Sequence, residues 1–178
     1  MIKRVDPLPQ FIDIGIMDLR FYHLTASSLE QTLPSLLLRT LDADKNALVR
    51  FGTQERMTWY DDYLWTFDDR QFVPHGLADG QFASDQPVLL SNDESTAKNE
   101  AAFVFWADGF CPVAFNSASG SGHWPLDGGA ERLCILFSGQ DQEQLALARQ
   151  LYKRAVSLPG VTPTYWKQAD RGGWSQAA

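Results

Sequence analysis

Histidine and cysteine are scarce in this chain of 178 residues, three of the one and two of the other. Cys111 and Cys134 form no paired motif and His23, His75 and His123 lie far apart, so no metal site is expected. Basic residues are also in deficit: 15 Lys and Arg against 22 Asp and Glu leave a net charge of −7 and a pI near 4.8. Wrapping nucleic acid needs clustered cations that this balance does not supply globally, so any DNA contact is expected to be indirect or weak. No run approaches the ~18 apolar residues of a spanning helix, and the N-terminus lacks an apolar stretch before a small-residue cleavage site. The expectation is a soluble, cytoplasmic protein without a membrane partner, its cysteines free thiols in a reducing compartment.

What is present is 44% apolar residue content, enough for one well-packed domain and short for two. Residues 1–17 hold Asp6-Pro7-Leu8-Pro9 and read as an irregular N-terminal extension, an appended segment or the product of an upstream start codon. Residues 19–24 read as a first buried strand. Ser27 or Ser28 can then cap a helix whose Leu29, Leu33, Leu36, Leu37, Thr40 and Leu41 recur at helical spacing. Pro34 predicts a kink or a later start there, because proline removes a backbone donor. Residues 47–51 form a second strand, and Thr53 caps a second helix through Met57, Tyr60 and Leu64. The apolar runs 87–90, 102–106 and 133–137 suit strands covered on both faces. Residues 109–129 carry two glycine-rich clusters and predict a long, mobile loop. Residues 141–158 are the clearest helix, 162–167 a final strand, and 170–178 a flexible C-terminal tail. Strands alternating with helices predict an α/β class, a single-domain Rossmann-like three-layer fold at 18–169 with a mostly parallel central sheet.

Such a sheet raises the question of a nucleotide, whose phosphates need glycines at the first strand-to-helix turn. That turn, Thr25-Ala26-Ser27-Ser28, has none, and the chain contains no Gly-Lys-Ser or Gly-Lys-Thr. No cofactor is expected. Ser119-Gly120-Ser121-Gly122-His123 lacks the flanking strand and helix of a nucleophile loop and reads as a linker, so no catalytic residue is assigned. His23 reads as a packed core residue at a strand end, and His75 as a turn residue whose ring nitrogen bonds a carbonyl. The alternative, a small Rossmann-like nucleotide-binding domain or enzyme, would use Asp68, Asp69 and His75 as its polar cluster.

Two patches point to protein binding instead. On the helix at 141–158, Leu147, Leu151, Ala155 and Leu158 form the expected core stripe, with Leu145, Arg149, Tyr152, Lys153 and Val156 roughly opposite. That second stripe suits a short acidic peptide with an aromatic anchor; equally, Tyr152 and the two cationic stems could simply cover the sheet edge. The other patch, 64–76, places Trp65 and Phe72 beside Pro74 in what should be a connecting loop, where large rings serve either an interface or the core beneath.

The loop residues Trp65, Phe72, Val73, Pro74 and His75 resemble the chi subunit of the bacterial DNA polymerase III holoenzyme. The run 149–153, followed by Tyr165-Trp166-Lys167, is similar to the same family. The resemblance spans roughly 18–170 and implies a Rossmann-like fold without nucleotide chemistry. It further implies a non-catalytic accessory subunit of a DNA-directed DNA polymerase, a nucleotidyltransferase complex. Such a subunit links the clamp loader to single-stranded-DNA-binding protein by holding that protein's acidic, phenylalanine-ended C-terminal tail. By position the tail would meet Arg149, Tyr152 and Lys153, with Leu145 standing where the family can carry a lysine. The loop from Trp65 to His75 would face a psi subunit or another clamp-loader component.

Overall fold

The computed structural model describes residues 18–94, 97–113, 130–158, 161–169 and 173–177. Its apolar runs become β1 (Asp18–Leu24), β2 (Ala47–Phe51), β3 (His75–Leu77), β4 (Val88–Ser91), β5 (Phe103–Ala107), β6 (Arg132–Ser138), β7 (Thr164–Gln168) and β8 (Trp174–Gln176). They join in one sheet of order β3-β4-β2-β5-β6-β1-β7-β8, in which the β7–β8 pair is antiparallel and the other described pairs are parallel. Alternate strand residues face opposite layers. Leu19 and Phe21 point to the layer of α3 (Gln142–Val156), whereas Tyr22 and Val49 point to that of α1 (Leu29–Asp42) and α2 (Gln54–Leu64). The fold is therefore the expected Rossmann-like α/β sandwich of three layers around a mostly parallel sheet.

Local chemistry accounts for the helix boundaries. Ser28 Oγ accepts from the Gln31 amide at 3.3 Å while Gln31 Oε1 accepts from the Ser28 amide at 3.1 Å, a complete capping box. The helix therefore begins at Leu29, and the later start suggested by Pro34 does not occur. Pro34 has no N–H for the Glu30 carbonyl one turn back. The Tyr63 hydroxyl of α2 donates to that carbonyl instead, at 3.1 Å, so the lost intrahelical bond is replaced by one joining two helices. Thr53 caps α2 as expected, accepting from the Arg56 amide at 3.2 Å. Asp141 caps α3 through Oδ1, which accepts from the amides of Glu143 and Gln144 at 2.9 and 3.1 Å.

Three expectations need correction. The most buried residues of α3 are Ala148, Leu151 and Ala155, with Leu147 and Leu158 only flanking them, so the core stripe is rotated from the one that the leucine spacing predicts. Residues 174–176 do not form a loose tail: they build β8 against β7, and Trp174 meets Tyr22 edge-on with ring centroids 4.8 Å apart. The third concerns residues 65–77, which include the short strand β3 that no pattern suggests. Most of the glycine-rich stretch expected as a long loop, 114–129, lies outside the described residues. Both cysteines are free; Cys134 is buried, which pushes its thiol up to about 12, and Cys111 is half-buried. Among the described residues no helix is long and apolar enough to cross a membrane.

Candidate functional site

Parallel pairing of β1 with β7 sets Phe21 opposite Tyr165 and His23 opposite Lys167, all four on the α3 side of the sheet. Tyr152 of α3 descends onto this row, its ring edge-on to Phe21 at 5.2 Å and to Tyr165 at 6.2 Å. His23 stacks on Phe137 at 5.0 Å, and its Nδ1 lies 2.8 Å from the Tyr165 hydroxyl. Between the helix and the strands remains an open groove of about 320 Å³ with Phe137 and Ala148 in its base and Leu145, Arg149 and Lys153 along one rim. Arg149 and Lys153 are exposed and make no hydrogen bond or ion pair among the described residues. Among those residues no carboxylate lines the groove, although the chain as a whole carries −7.

The electrostatics follow from that layout. Burial, reinforced by the charges of Lys167 and Arg149, holds His23 below the ordinary histidine range. Burial pushes the Tyr165 hydroxyl up, with Arg149 acting in the opposite direction. An apolar slot edged by two unpaired cations suits a ligand that is aromatic at one point and anionic beside it.

Of the residues expected on α3, the structure brings Leu145, Arg149, Tyr152 and Lys153 together at this groove. Val156 is 58% exposed but does not line it. Tyr152 and Leu145 flank the core stripe rather than oppose it, which is how they reach the groove's interior. His23, expected in the core, instead shares the groove wall with Tyr165. No local pattern could reveal this, because it depends on β1 and β7 being neighbours.

The loop after α2 is arranged differently. Trp65 and Phe72 are 59% and 55% exposed, with ring centroids 5.6 Å apart, so they do not fill the core. Val73 and His75 do: Val73 is fully buried, and His75 is buried with Nδ1 2.7 Å from the Val73 carbonyl and Nε2 3.0 Å from that of Asp61. As interface residues Val73 and His75 are therefore corrected. They anchor the loop, while Trp65, Phe72 and part of Pro74 face outward. Asp68 accepts from the Arg70 amide at 2.7 Å, and neither Asp68 nor Asp69 shares a hydrogen bond or ion pair with His75. His75 lies instead against Asp61, its Nε2 3.5 Å from that carboxylate.

The first strand-to-helix turn, where a Rossmann-type domain holds phosphate, is already filled. The amides of Thr25, Ala26 and Ser27 all donate to Gln168 Oε1, at 2.9, 2.9 and 3.0 Å, and Gln168 Nε2 donates to Ser27 Oγ. An anion there would have to displace a side chain of the protein itself. Among the described residues no group of three or more His, Cys, Asp and Glu could hold a metal ion.

Fold and surface together describe a Rossmann-like domain whose first-turn amides are self-occupied, with a cation-edged aromatic groove beside α3 and an exposed ring pair after α2. The family model described as "DNA polymerase III chi subunit, HolC" matches residues 17–160, and the chain belongs to that family. It is thus a member of an accessory-subunit family of the DNA polymerase III replication machinery. No match among curated proteins was found.

Proposed function

We propose that this chi-family chain tethers the polymerase III assembly to single-stranded-DNA-binding protein by holding that protein's acidic C-terminal tail in the groove beside α3. The observation that carries the reading is the pair of unpaired cations, Arg149 and Lys153, edging a slot walled by Tyr152 and Tyr165 on a strongly acidic chain. The tail's terminal carboxylate and nearby aspartates pair with the cations, and its phenyl ring lies against the two tyrosines. Leu145 supplies apolar wall but no charge at a place where the family can carry a lysine, which favours a modest single-site affinity. Modest affinity suffices when many tails line one template, because the second encounter is governed by effective concentration. The chain acts as a connector, and polymerisation belongs to the complex.

The exposed pair Trp65 and Phe72 supports a second contact, to a psi subunit or another clamp-loader component, since two adjoining rings more than half exposed are an interface anchor in composition. The deciding experiment is calorimetric titration of the protein with the tail peptide of its own organism's single-stranded-DNA-binding protein, and with the same peptide lacking its final phenylalanine. Saturable binding that requires the phenylalanine is expected. Absence of binding to either peptide at low salt, by folded protein, would overturn the tethering role.

A further inference from the structure

His23 is the residue in this groove that the acidic-peptide reading leaves without a role. Its ring stacks on Phe137, its Nδ1 faces the Tyr165 hydroxyl at 2.8 Å, and its Nε2 is buried without a hydrogen-bond partner among the described residues. The Nε2 edge lies against Gly139, so closely that a Cβ added there would stand 2.6 Å from it. When the Tyr165 hydroxyl donates to Nδ1, a neutral ring keeps its single proton on Nε2. The Tyr165 O–H is then turned inward to the histidine and is not offered to the groove that Tyr165 lines.

We propose that His23 is a proton-linked positioning residue of the groove: it takes up one proton as an acidic peptide binds, and in doing so turns the Tyr165 hydroxyl into a donor toward the ligand. The inference rests on the reading of the groove as an acidic-peptide site and adds how that site responds to pH. The proton comes from solvent and settles on Nδ1. The hydrogen bond then reverses, Nδ1–H donating to the Tyr165 oxygen, and the tyrosine's own hydrogen is released to a ligand carboxylate as a hydrogen-bond donor. The tyrosine O–H bond itself stays intact.

The charged and titratable groups around His23 set the sign. From α3 come Arg149, Lys153 and Tyr152, and from β7 come Tyr165 and Lys167. Among the described residues the groove contributes no carboxylate, and Phe137 and Gly139 from the β6 side carry no charge. Asp141, which caps α3, has its carboxylate taken up by two backbone amides. In the free protein, burial together with Lys167 and Arg149 therefore disfavours the imidazolium. Ligand carboxylates offset those cations and raise the proton affinity of His23 in the complex. By linkage, binding takes up protons and affinity rises as pH falls through the range between the free value, held below the ordinary histidine range, and the higher bound one.

The test is calorimetry of the full chain with an N-acetylated acidic peptide ending in phenylalanine with a free carboxylate, at about pH 6 in two buffers of different ionisation enthalpy, with affinities at about pH 6 and 8. His23→Asn retains an acceptor near the Nδ1 position, and His23→Phe retains the stack on Phe137; neither titrates. The wild-type protein is expected to take up between a fraction of a proton and one proton per peptide and to bind about three- to tenfold tighter at pH 6 than at pH 8. Whatever affinity each variant retains at pH 8, both should lose the proton uptake and the tightening between pH 8 and pH 6. Saturable wild-type binding without proton uptake, or uptake that persists in both variants, overturns the role of His23 while leaving the peptide site standing. No binding at either pH overturns the peptide site and this inference together.

Discussion

The groove beside α3 and the loop after α2 each present a pair of aromatic rings, but they are built in opposite ways. Tyr152 and Tyr165 are half-buried and braced from below by Phe21 and His23, so the sheet fixes their positions. Trp65 and Phe72 stand mostly in solvent on a connection held down from behind by Val73 and His75. The groove is edged by Arg149 and Lys153, with Lys167 paired to His23 on the neighbouring strand, whereas the loop lies among Asp61, Asp68 and Asp69. In the proposed roles a braced, cationic slot would discriminate by charge and shape, and a neutral outward pair would contribute area. The same residue class is thus set in two different frames, and the difference is made by what lies beneath the rings.

That contrast can be broken most forcefully in the supports. Leu151, 1% exposed beneath the groove, should cost about 2 to 5 kcal/mol of stability when changed to Ala, whereas Trp65→Ala should cost under about 0.5 kcal/mol. Urea unfolding of both variants checks this; equal losses would mean that the loop belongs to the core. Next in size are the charges. Arg149→Ala and Lys153→Ala should each weaken tail binding by about 1 to 3 kcal/mol, with the wild-type affinity falling as salt rises, and Trp65→Ala and Phe72→Ala should leave it alone. Unchanged binding in both cation variants would remove the site from α3. On the other face of the sheet, Tyr63→Phe deletes the donor that satisfies the Glu30 carbonyl opposite Pro34 and should lower the urea-derived stability by about 0.5 to 1.5 kcal/mol; no loss would mean that solvent replaces it.

The smallest effect concerns acid. Burial tends to raise the carboxyl of Asp18, yet hydrogen bonds from Arg20 and Arg132 outweigh it and hold the group below its ordinary value. A carboxylate lowered in this way contributes stability above the unfolded value of about 3.9 and loses it as pH falls through the lower folded value. Asp18 begins the strand that carries Phe21 and His23, so Asp18→Asn should flatten the acid limb of a thermal-unfolding profile below about pH 4. An acid limb as steep as the wild type's would assign it to other carboxylates, Glu30 beside Arg56 among them.

Periodicity and caps make most of the scaffold legible from the residues alone: Ser28, Thr53 and Asp141 mark the starts of the three α-helices among the described residues, and the apolar runs mark the long strands. β3 escapes such a reading because its three residues sit in an aromatic stretch without alternation, and β8 because Gly172-Gly173 reads as a break when the partner strand is unknown. The rotated stripe of α3 has a different cause. Ala148 is small and carries little weight in a pattern of leucines, yet smallness is what lets the helix pack close to the sheet. At the groove, Arg149, Tyr152 and Lys153 are visible from one helix alone. His23, Tyr165 and Lys167 become part of the site only through a strand pairing that spans more than 140 residues of chain, and no local spacing encodes such a pairing.

Gln168 bears on how this domain differs in behaviour from its nucleotide-binding counterparts. In those, an empty first turn leaves amides that a ligand must order, and occupancy then becomes a signal that the fold can transmit. Here three amides are closed by a side chain from β7, the strand that also carries Tyr165 and Lys167. The crevice is closed by the fold itself, so a phosphate would have to compete with Gln168 for these amides. For the connector proposed above, a turn closed in this way would separate its grip on a partner from the nucleotide pools that rise and fall around it.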